Sequence, residues 1–306
     1  MKPKSFLIVL GLLFLVSTIL AQTAQLPERT DGNLIIASYN IKWIGDIQHN
    51  YDKLAEVIQH FDICGVIEIK NESALARLAD SLRKKTQKDW GFVFGVRTSR
   101  PNGSYYETYG VVWRKDRVEL GDGMISGIWD NKEVFRNDPY TVSFKRKNFD
   151  FILFLIHTRW SDDSDGTREK EIAATSEYIL WLRSFLTERD LVLAGDFNYS
   201  GNESVMKNMA EDANLTQIDS NEKSTFKNDY SGYGSSYDHI YLSEDALGKF
   251  VQGKCGVLDS TTLIYGNRNA ENMKKSKQEL SDHLPVWAVF NVTLLDDDKL
   301  INNIYH

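Results

Sequence analysis

The chain is 306 residues long, with 42% hydrophobic, 12% aromatic and 26% charged residues. That composition supplies one large core or two ordinary ones, and it excludes a globally disordered, collagenous or repeat-array protein. A formal charge of −7 excludes a protein that coats polyanions with a basic surface, so any phosphate chemistry needs local cations or bound metal.

Lys2 and Lys4 precede an almost unbroken apolar run over residues 6–20, which ends at Ala21-Gln22. A short positive segment, an apolar stretch and a small residue read as a secretory signal peptide over residues 1–21. The run falls short of the ~20 residues that a membrane span needs, so cleavage near Ala21, leaving no anchor, is the expectation. Loss of Lys2 and Lys4 takes the formal charge from −7 to −9. Six Asn-x-Ser/Thr sequons occur, at Asn71, Asn102, Asn198, Asn202, Asn214 and Asn291. A glycan on Asn198 would sit among the candidate site residues below, which favours a bacterial periplasmic or secreted protein over a eukaryotic one.

Apolar runs with strand character cover residues 34–39, 63–67, 92–96, 110–113, 140–144, 151–156, 191–194, 240–242 and 284–292. Several are apolar on both faces, as strands between two layers are. Helical spacing groups Leu54, Val57, Ile58 and Phe61, then Leu75, Leu78, Ala79 and Leu82, then Ile172, Ile179, Leu182 and Leu186. Strands interleaved with surface helices, without a linker or repeat, predict one α/β domain over residues 22–294. Residues 295–306 read as a frayed tail, and the polar stretch 261–279 has no legible conformation. Cys64 reads as a small buried residue, and a bridge to Cys255 is not expected although an exported chain tolerates one.

The strand runs repeatedly end on one polar residue that can bind metal or move protons: Asn40, Glu68, His157 and Asp196, with Asn198 two further on. Two other runs begin in the same way, after Asp238 and after Asp282-His283. Any one of these is an ordinary strand end meeting water. Six in one chain, all drawn from Asn, Asp, Glu and His, point to convergence at one sheet rim. The oxygen-rich candidates Glu68, Asp196, Asn40, Asn198 and Asp282 suit magnesium, calcium or manganese rather than a thiolate zinc site. Hard cations beside paired histidines suit phosphoryl chemistry. There is no Gly-x-Ser-x-Gly nucleophile elbow, no Walker loop and no dinucleotide Gly-x-Gly-x-x-Gly.

Ser-Tyr-Asn-Ile-Lys-Trp (38–43), Ile-Glu-Ile-Lys (67–70), His157, Gly-Asp-Phe-Asn (195–198), Tyr-Asp-His-Ile (237–240) and Ser-Asp-His-Leu-Pro-Val (281–286) occur in this order. Together they resemble the endonuclease/exonuclease/phosphatase superfamily, and most closely its deoxyribonuclease I-like branch, from about residue 33 to 292. The resemblance implies a four-layered α/β sandwich of two packed mixed sheets flanked by helices. It also implies a Mg²⁺-dependent phosphodiesterase, with Mn²⁺ or Ca²⁺ as alternatives, that acts on DNA and leaves 5′-phosphate ends.

By the same likeness, Glu68 with Asn40 and Asp282 would hold the metal, and Asp196 and Asn198 would orient the attacking water. Glu107, in the segment 104–114, would orient His157, as Asp238 would orient His283. Lys70, Asn102, Tyr105 and Arg136 fall where that branch contacts its substrate, with a small insertion near Asn102 and one extra residue near Arg136. A solvated surface side chain is the alternative for each of these four. Lys70, Arg97, Arg100, Arg114, Lys115 and Arg136 are candidates for a local basic strip. His239 replaces the arginine common in the branch, and a place on the strand's other face is the expectation. The acidic loop 162–166 reads as a solvated turn.

Two rivals stand beside the deoxyribonuclease reading. One is a phosphatase or phospholipase acting on inositol phosphates or sphingomyelin, to which Gly-Asp-Phe-Asn-Tyr is close, although the aromatic-proline run of that branch is absent. The other is a non-enzymatic binding module, which none of the motif residues supports by its loss. No stable protein partner is implied, and a monomer is expected.

Overall fold

The computed structural model describes residues 26–95, 107–126, 134–160, 166–219 and 221–296. The signal-peptide segment, Arg97, Arg100, Asn102, Tyr105, most of the acidic loop and residues 297–306 lie outside them. In chain order the first half holds β1 (Asn33–Ile44), α1 (Tyr51–Ile58), β2 (Ile63–Ile69), α2 (Glu72–Thr86), β3 (Trp90–Phe94), β4 (Thr108–Arg114), β5 (Glu119–Ser126), β6 (Tyr140–Arg146) and β7 (Phe149–His157). Then follow α3 (Thr167–Arg183), β8 (Leu191–Asp196), α4 (Ser204–Asp212), β9 (Leu215–Gln217) and β10 (Asp238–Ser243). The last part holds α5 (Glu244–Lys249), β11 (Phe250–Val257), α6 (Ser260–Tyr265), α7 (Ala270–Glu279) and β12 (Val286–Asn291).

Alternation along the strands builds the layers. In β1, Leu34 and Ile36 enter a core between the sheets, while Ile35, Ala37 and Tyr39 enter a second core beneath α1 and α2. In β7, Phe151, Leu153 and Leu155 face the inter-sheet core, and Phe154 and Ile156 pack under α3 and α4 with Tyr178, Ile179 and Met206. The result is the expected four layers: two mixed six-stranded sheets, ordered β11-β12-β1-β2-β4-β3 and β5-β6-β7-β8-β10-β9, with helices outside each. Each fully buried Leu or Ile of these cores contributes about 1.5–3 kcal/mol.

α1 and α2 start on asparagine caps: Asn50 accepts from Lys53 N at 3.1 Å, and Asn71 accepts from Ala74 N at 3.0 Å. Arg83, Lys84 and Lys85 in the last turn of α2 meet its negative dipole end. The illegible stretch 261–279 forms α6 and α7, in which only Ser260, Thr261, Met273 and Ser276 are buried. Three strands have no counterpart in the sequence reading: β5, the three-residue β9, and β11, whose central Gln252, Gly253 and Lys254 are exposed. The start of the expected tail is tethered, because Lys249 Nζ donates to the Leu295 carbonyl at 2.5 Å. Cys64, buried in β2, and Cys255, half-buried in β11, are unpaired thiols. No helix among the described residues is long and apolar enough to cross a membrane.

Candidate active site

Strand direction explains why the polar strand ends meet. β1 runs parallel to β2, and β7 runs parallel to β8, so Asn40, Glu68, His157 and Asp196 lie toward the C-terminal ends of four strands. β10 and β12 run antiparallel to β8 and β1, so Asp238 and the Asp282-His283 pair arrive from their starts. Register sharpens the convergence. Asp196 is paired with His157 on one side and with Asp238 on the other. Gly195 is required there, since a Cβ would collide with the Ile156 carbonyl oxygen. Glu68 and Asn198 both adopt positive φ, 64° and 49°, which turns each side chain out of its strand run.

Two carboxylate–imidazole pairs face each other across Asp196. His157 Nδ1 lies 2.5 Å from Glu107 Oε1, and His283 Nδ1 lies 2.8 Å from Asp238 Oδ2. Their Nε2 atoms point at the same oxygen, Asp196 Oδ2, at 3.6 and 3.5 Å. Asn40 Nδ2 donates to Asp196 Oδ2 and to Glu68 Oε1, both at 2.9 Å, and so ties the two sheets together at the site. Asn198 N donates back to Asp196 Oδ1 at 2.9 Å, while its Nδ2 donates to the Thr158 carbonyl at 2.9 Å.

The supporting residues come from loops and, for Tyr109, from β4. Asn137 Nδ2 donates to Glu107 Oε1 at 2.7 Å, and the Tyr109 hydroxyl accepts from His157 N at 2.9 Å. The Ser224 hydroxyl donates to Asp238 Oδ2 at 2.6 Å. Ser281 links the Asn40 carbonyl, at 2.6 Å, to His283 N, at 3.2 Å.

Burial alone would lower both histidine pKa values. Glu107, with Asp196 and Glu68 behind it, instead holds the His157 imidazolium up to about 10, and Asp238 with Asp196 holds His283 well above the usual range. Asp196 is shifted upward by its own desolvation, against the pull of His283. Asp282 stays below the carboxyl range despite burial, through His283 and its 2.7 Å ion pair with Lys42.

The donor set fits a hard divalent ion. Glu68, Glu107 and His157 gather ligand atoms within 4.8 Å of one another, as do Asp196, Asp238 and His283. More telling, Asn40 Oδ1 and Asn198 Oδ1 are buried with no hydrogen-bond partner, although each amide nitrogen is satisfied. A buried acceptor left open at the junction of Glu68 and Asp196 is the kind of oxygen such an ion completes.

Asn40, Glu68, Glu107, His157, Asp196, Asn198, Asp238 and His283 are therefore brought together, with Asp282 on the wall beside them. The cleft they floor has a volume of about 630 Å³. Arg136 lines it, but Lys70 does not, its ammonium lying 5.7 Å from the Trp43 ring. Asn102 and Tyr105 fall outside the described residues.

The basic strip needs correction. Arg114 and Lys115 lie at the far end of β4 from Glu107, paired to Asp116 and Asp89, because a seven-residue strand spans roughly 20 Å. Among the described residues the cleft's cations are Lys42, Arg136, Arg159, Lys227 and Lys277, of which the sequence pattern marks only Arg136. His239 points away from the cleft, fully buried between Asp219 Oδ1 at 3.1 Å and the Tyr199 carbonyl at 2.9 Å.

A sequence profile of the Endonuclease/Exonuclease/phosphatase family matches residues 37–283. A protein named deoxyribonuclease from Thioalkalivibrio sp. (strain K90mix) is 26% identical over 283 residues, covering 89% of this chain and 75% of that one. Among solved structures, an endonuclease/exonuclease/phosphatase family protein from Bacteroides thetaiotaomicron superimposes with a TM-score of 0.56 at 19% identity, over 86% of this chain and 98% of that one. A mannosyl-6-phosphatase from Bacteroides thetaiotaomicron VPI-5482 gives 0.53 at 19% identity, over 83% and 98%. Likeness at this level of identity carries the fold.

Proposed function

The chain belongs to the endonuclease/exonuclease/phosphatase family of hydrolases, and on that premise we propose that it is a divalent-metal-dependent, deoxyribonuclease I-like endonuclease. It hydrolyses DNA to 5′-phosphate ends, is exported after cleavage near Ala21 and works as a monomer. The observation that carries the reading is the pair of carboxylate-backed imidazoles whose Nε2 atoms meet at Asp196 Oδ2. Two protonated imidazoles on either side of one buried carboxylate suit in-line displacement at phosphorus, where the carboxylate takes the proton of the attacking water and an imidazolium gives one to the leaving oxygen.

Glu68 and Asn40, with Asp282 beside them, would hold the ion, which when bound neutralises charge on the scissile phosphate. Asp196, fixed by Asn40 and by the Asn198 amide, orients the water and draws its proton. His157 and His283 stabilise the phosphoryl oxygens and deliver a proton to the leaving oxygen; Glu107 and Asp238 hold their Nδ1–H and so aim each Nε2. Arg136, Arg159, Lys227 and Lys277 supply the local positive charge that the acidic chain otherwise lacks. The relative named deoxyribonuclease supports DNA as the substrate. The helical conformation of α6 and α7, in place of an apolar hairpin, weighs against docking on sphingomyelin membranes.

A plasmid-nicking assay with Mg²⁺, Mn²⁺, Ca²⁺ or EDTA tests this, with His157→Ala as the control for contamination. Metal-dependent nicking that the variant lacks is expected. Intact plasmid under every metal, from folded protein, rejects DNA as the substrate and directs the assay to inositol phosphates and sphingomyelin. N-terminal sequencing of exported protein tests the cleavage site.

A further inference from the structure

Trp160 is 73% exposed, yet it lines the candidate cleft rather than open surface. The backbone that leads to it is held by several hydrogen bonds. Thr158 N donates to the Asp196 carbonyl at 3.0 Å, and the Thr158 hydroxyl donates to the Phe197 carbonyl. Arg159 N donates to the buried Glu171 Oε2 at 2.7 Å, with Arg159 Nε on Oε1 at 3.2 Å. The Trp160 carbonyl accepts from Arg168 Nη1 at 3.3 Å; the same nitrogen donates to the Asn198 carbonyl at 2.7 Å, and the Arg168 guanidinium lies 4.1 Å from the Tyr199 ring. The backbone is thus tied to the neighbours of Asp196 and Asn198, while the indole stays uncovered. Trp90 and Trp287, by contrast, are fully buried. An uncovered indole carried on a tethered backbone beside the catalytic floor is an accessible aromatic face.

What such a face binds follows from the charges around it. Tracking duplex DNA draws its affinity from many phosphate contacts. Among the described residues the cleft offers Lys42, Arg136, Arg159, Lys227 and Lys277, of which Lys42 and Arg159 are paired with Asp282 and Glu171. Stacking on an aromatic ring is tolerant of sequence but needs a base that has left its own stack. Resting on the phosphodiesterase reading above, we propose that Trp160 is a stacking platform for an unpaired base next to the scissile phosphate. Single-stranded DNA is then preferred over duplex.

The test compares wild type, Trp160→Ala and Trp160→Phe on a single-stranded oligonucleotide, its duplex, and a strand of equal length built of abasic sites. Wild type should favour the single strand over the duplex by about tenfold in kcat/KM. Trp160→Ala should raise KM for the single strand by about tenfold at near-normal kcat, Trp160→Phe should retain most of the affinity, and the abasic strand should not distinguish the three. Duplex cut as well as single strand by wild type, or an equal loss on abasic and base-bearing strands, overturns the proposal. If wild type cuts no strand with any metal, the phosphodiesterase reading fails. Fluorescence anisotropy of the labelled single strand in EDTA then decides the platform alone: weaker binding by Trp160→Ala supports it, and equal binding overturns it.

Discussion

Replacing Asp219 by asparagine probes what holds the loop behind Asn198. The buried His239 ring has a carboxylate at Nδ1 and the Tyr199 carbonyl at Nε2, both acceptors, so it is satisfied with both nitrogens protonated. Burial would lower the His239 pKa, but the hydrogen bond and charge of Asp219 raise it above the ordinary value; burial would raise Asp219, but His239 brings it below. The carboxylate also accepts from Gln217 Nε2 at 2.9 Å, Asn221 N at 3.1 Å and Ile240 N at 3.0 Å. An asparagine amide sets a donor against one of these donors and leaves the imidazolium without its counter-charge. Breaking one side of a buried pair costs about 3–5 kcal/mol, which for a chain of this size lowers Tm by roughly 6–20 °C.

The pH dependence gives the sharper test. The His239 contribution is complete below the ordinary histidine pKa and fades as pH rises through its raised folded value. That of Asp219 is complete above the ordinary carboxyl pKa and fades as pH falls through its lowered folded value. Both are whole between about pH 4 and pH 6.5. Urea denaturation of wild type and Asp219→Asn from pH 4 to pH 9 should show the widest stability gap in that window and a narrowing gap above it. A gap below about 1 kcal/mol, or one constant across the range, refutes the buried ion pair.

Glu68→Gln, which keeps shape but removes charge where Asn40 meets the open acceptor, should lower plasmid nicking by roughly a hundredfold and weaken Mg²⁺ dependence. A change confined to KM for DNA would exclude Glu68 as a ligand. Glu107→Gln should lower kcat by about 10²-fold with little change in KM, because it releases His157 rather than substrate; steady-state kinetics separate the two. Gly195→Ala should reduce stability by about 1–3 kcal/mol, since the new methyl meets the Ile156 carbonyl and not a movable side chain. An unchanged melting curve would contradict the register of β7 on β8.

The catalytic floor was legible because each of its residues interrupts an apolar strand, and strand direction does the rest. Asn40, Glu68, His157, Asp196, Asp238 and His283 all share that mark. Glu107 and Asn198 became legible through the family resemblance and the motif beside Asp196. The walls carry no such mark. Asn137, Arg159, Trp160, Lys227 and Lys277 sit in loops or on the charge-rich α7, where no periodicity separates a cleft residue from a solvated one. Arg114 and Lys115 are close to Glu107 in sequence but lie a strand's length from it in space. β11 escaped because Gly253 and its exposed neighbours break the alternation, and β9 because three residues hold no pattern.

The sheet order bears on how the molecule is made. Among the described residues β1, the first strand, is an interior strand whose outer neighbour is β12, the last, and His283 lies three residues before the start of β12. A chain still emerging from the ribosome therefore has β1 with one raw edge and lacks one of the two imidazoles. Its first sheet closes, and its catalytic floor becomes complete, in the same late event. Synthesis thus imposes its own delay: the catalytic floor is assembled only after the chain has been delivered as far as β12.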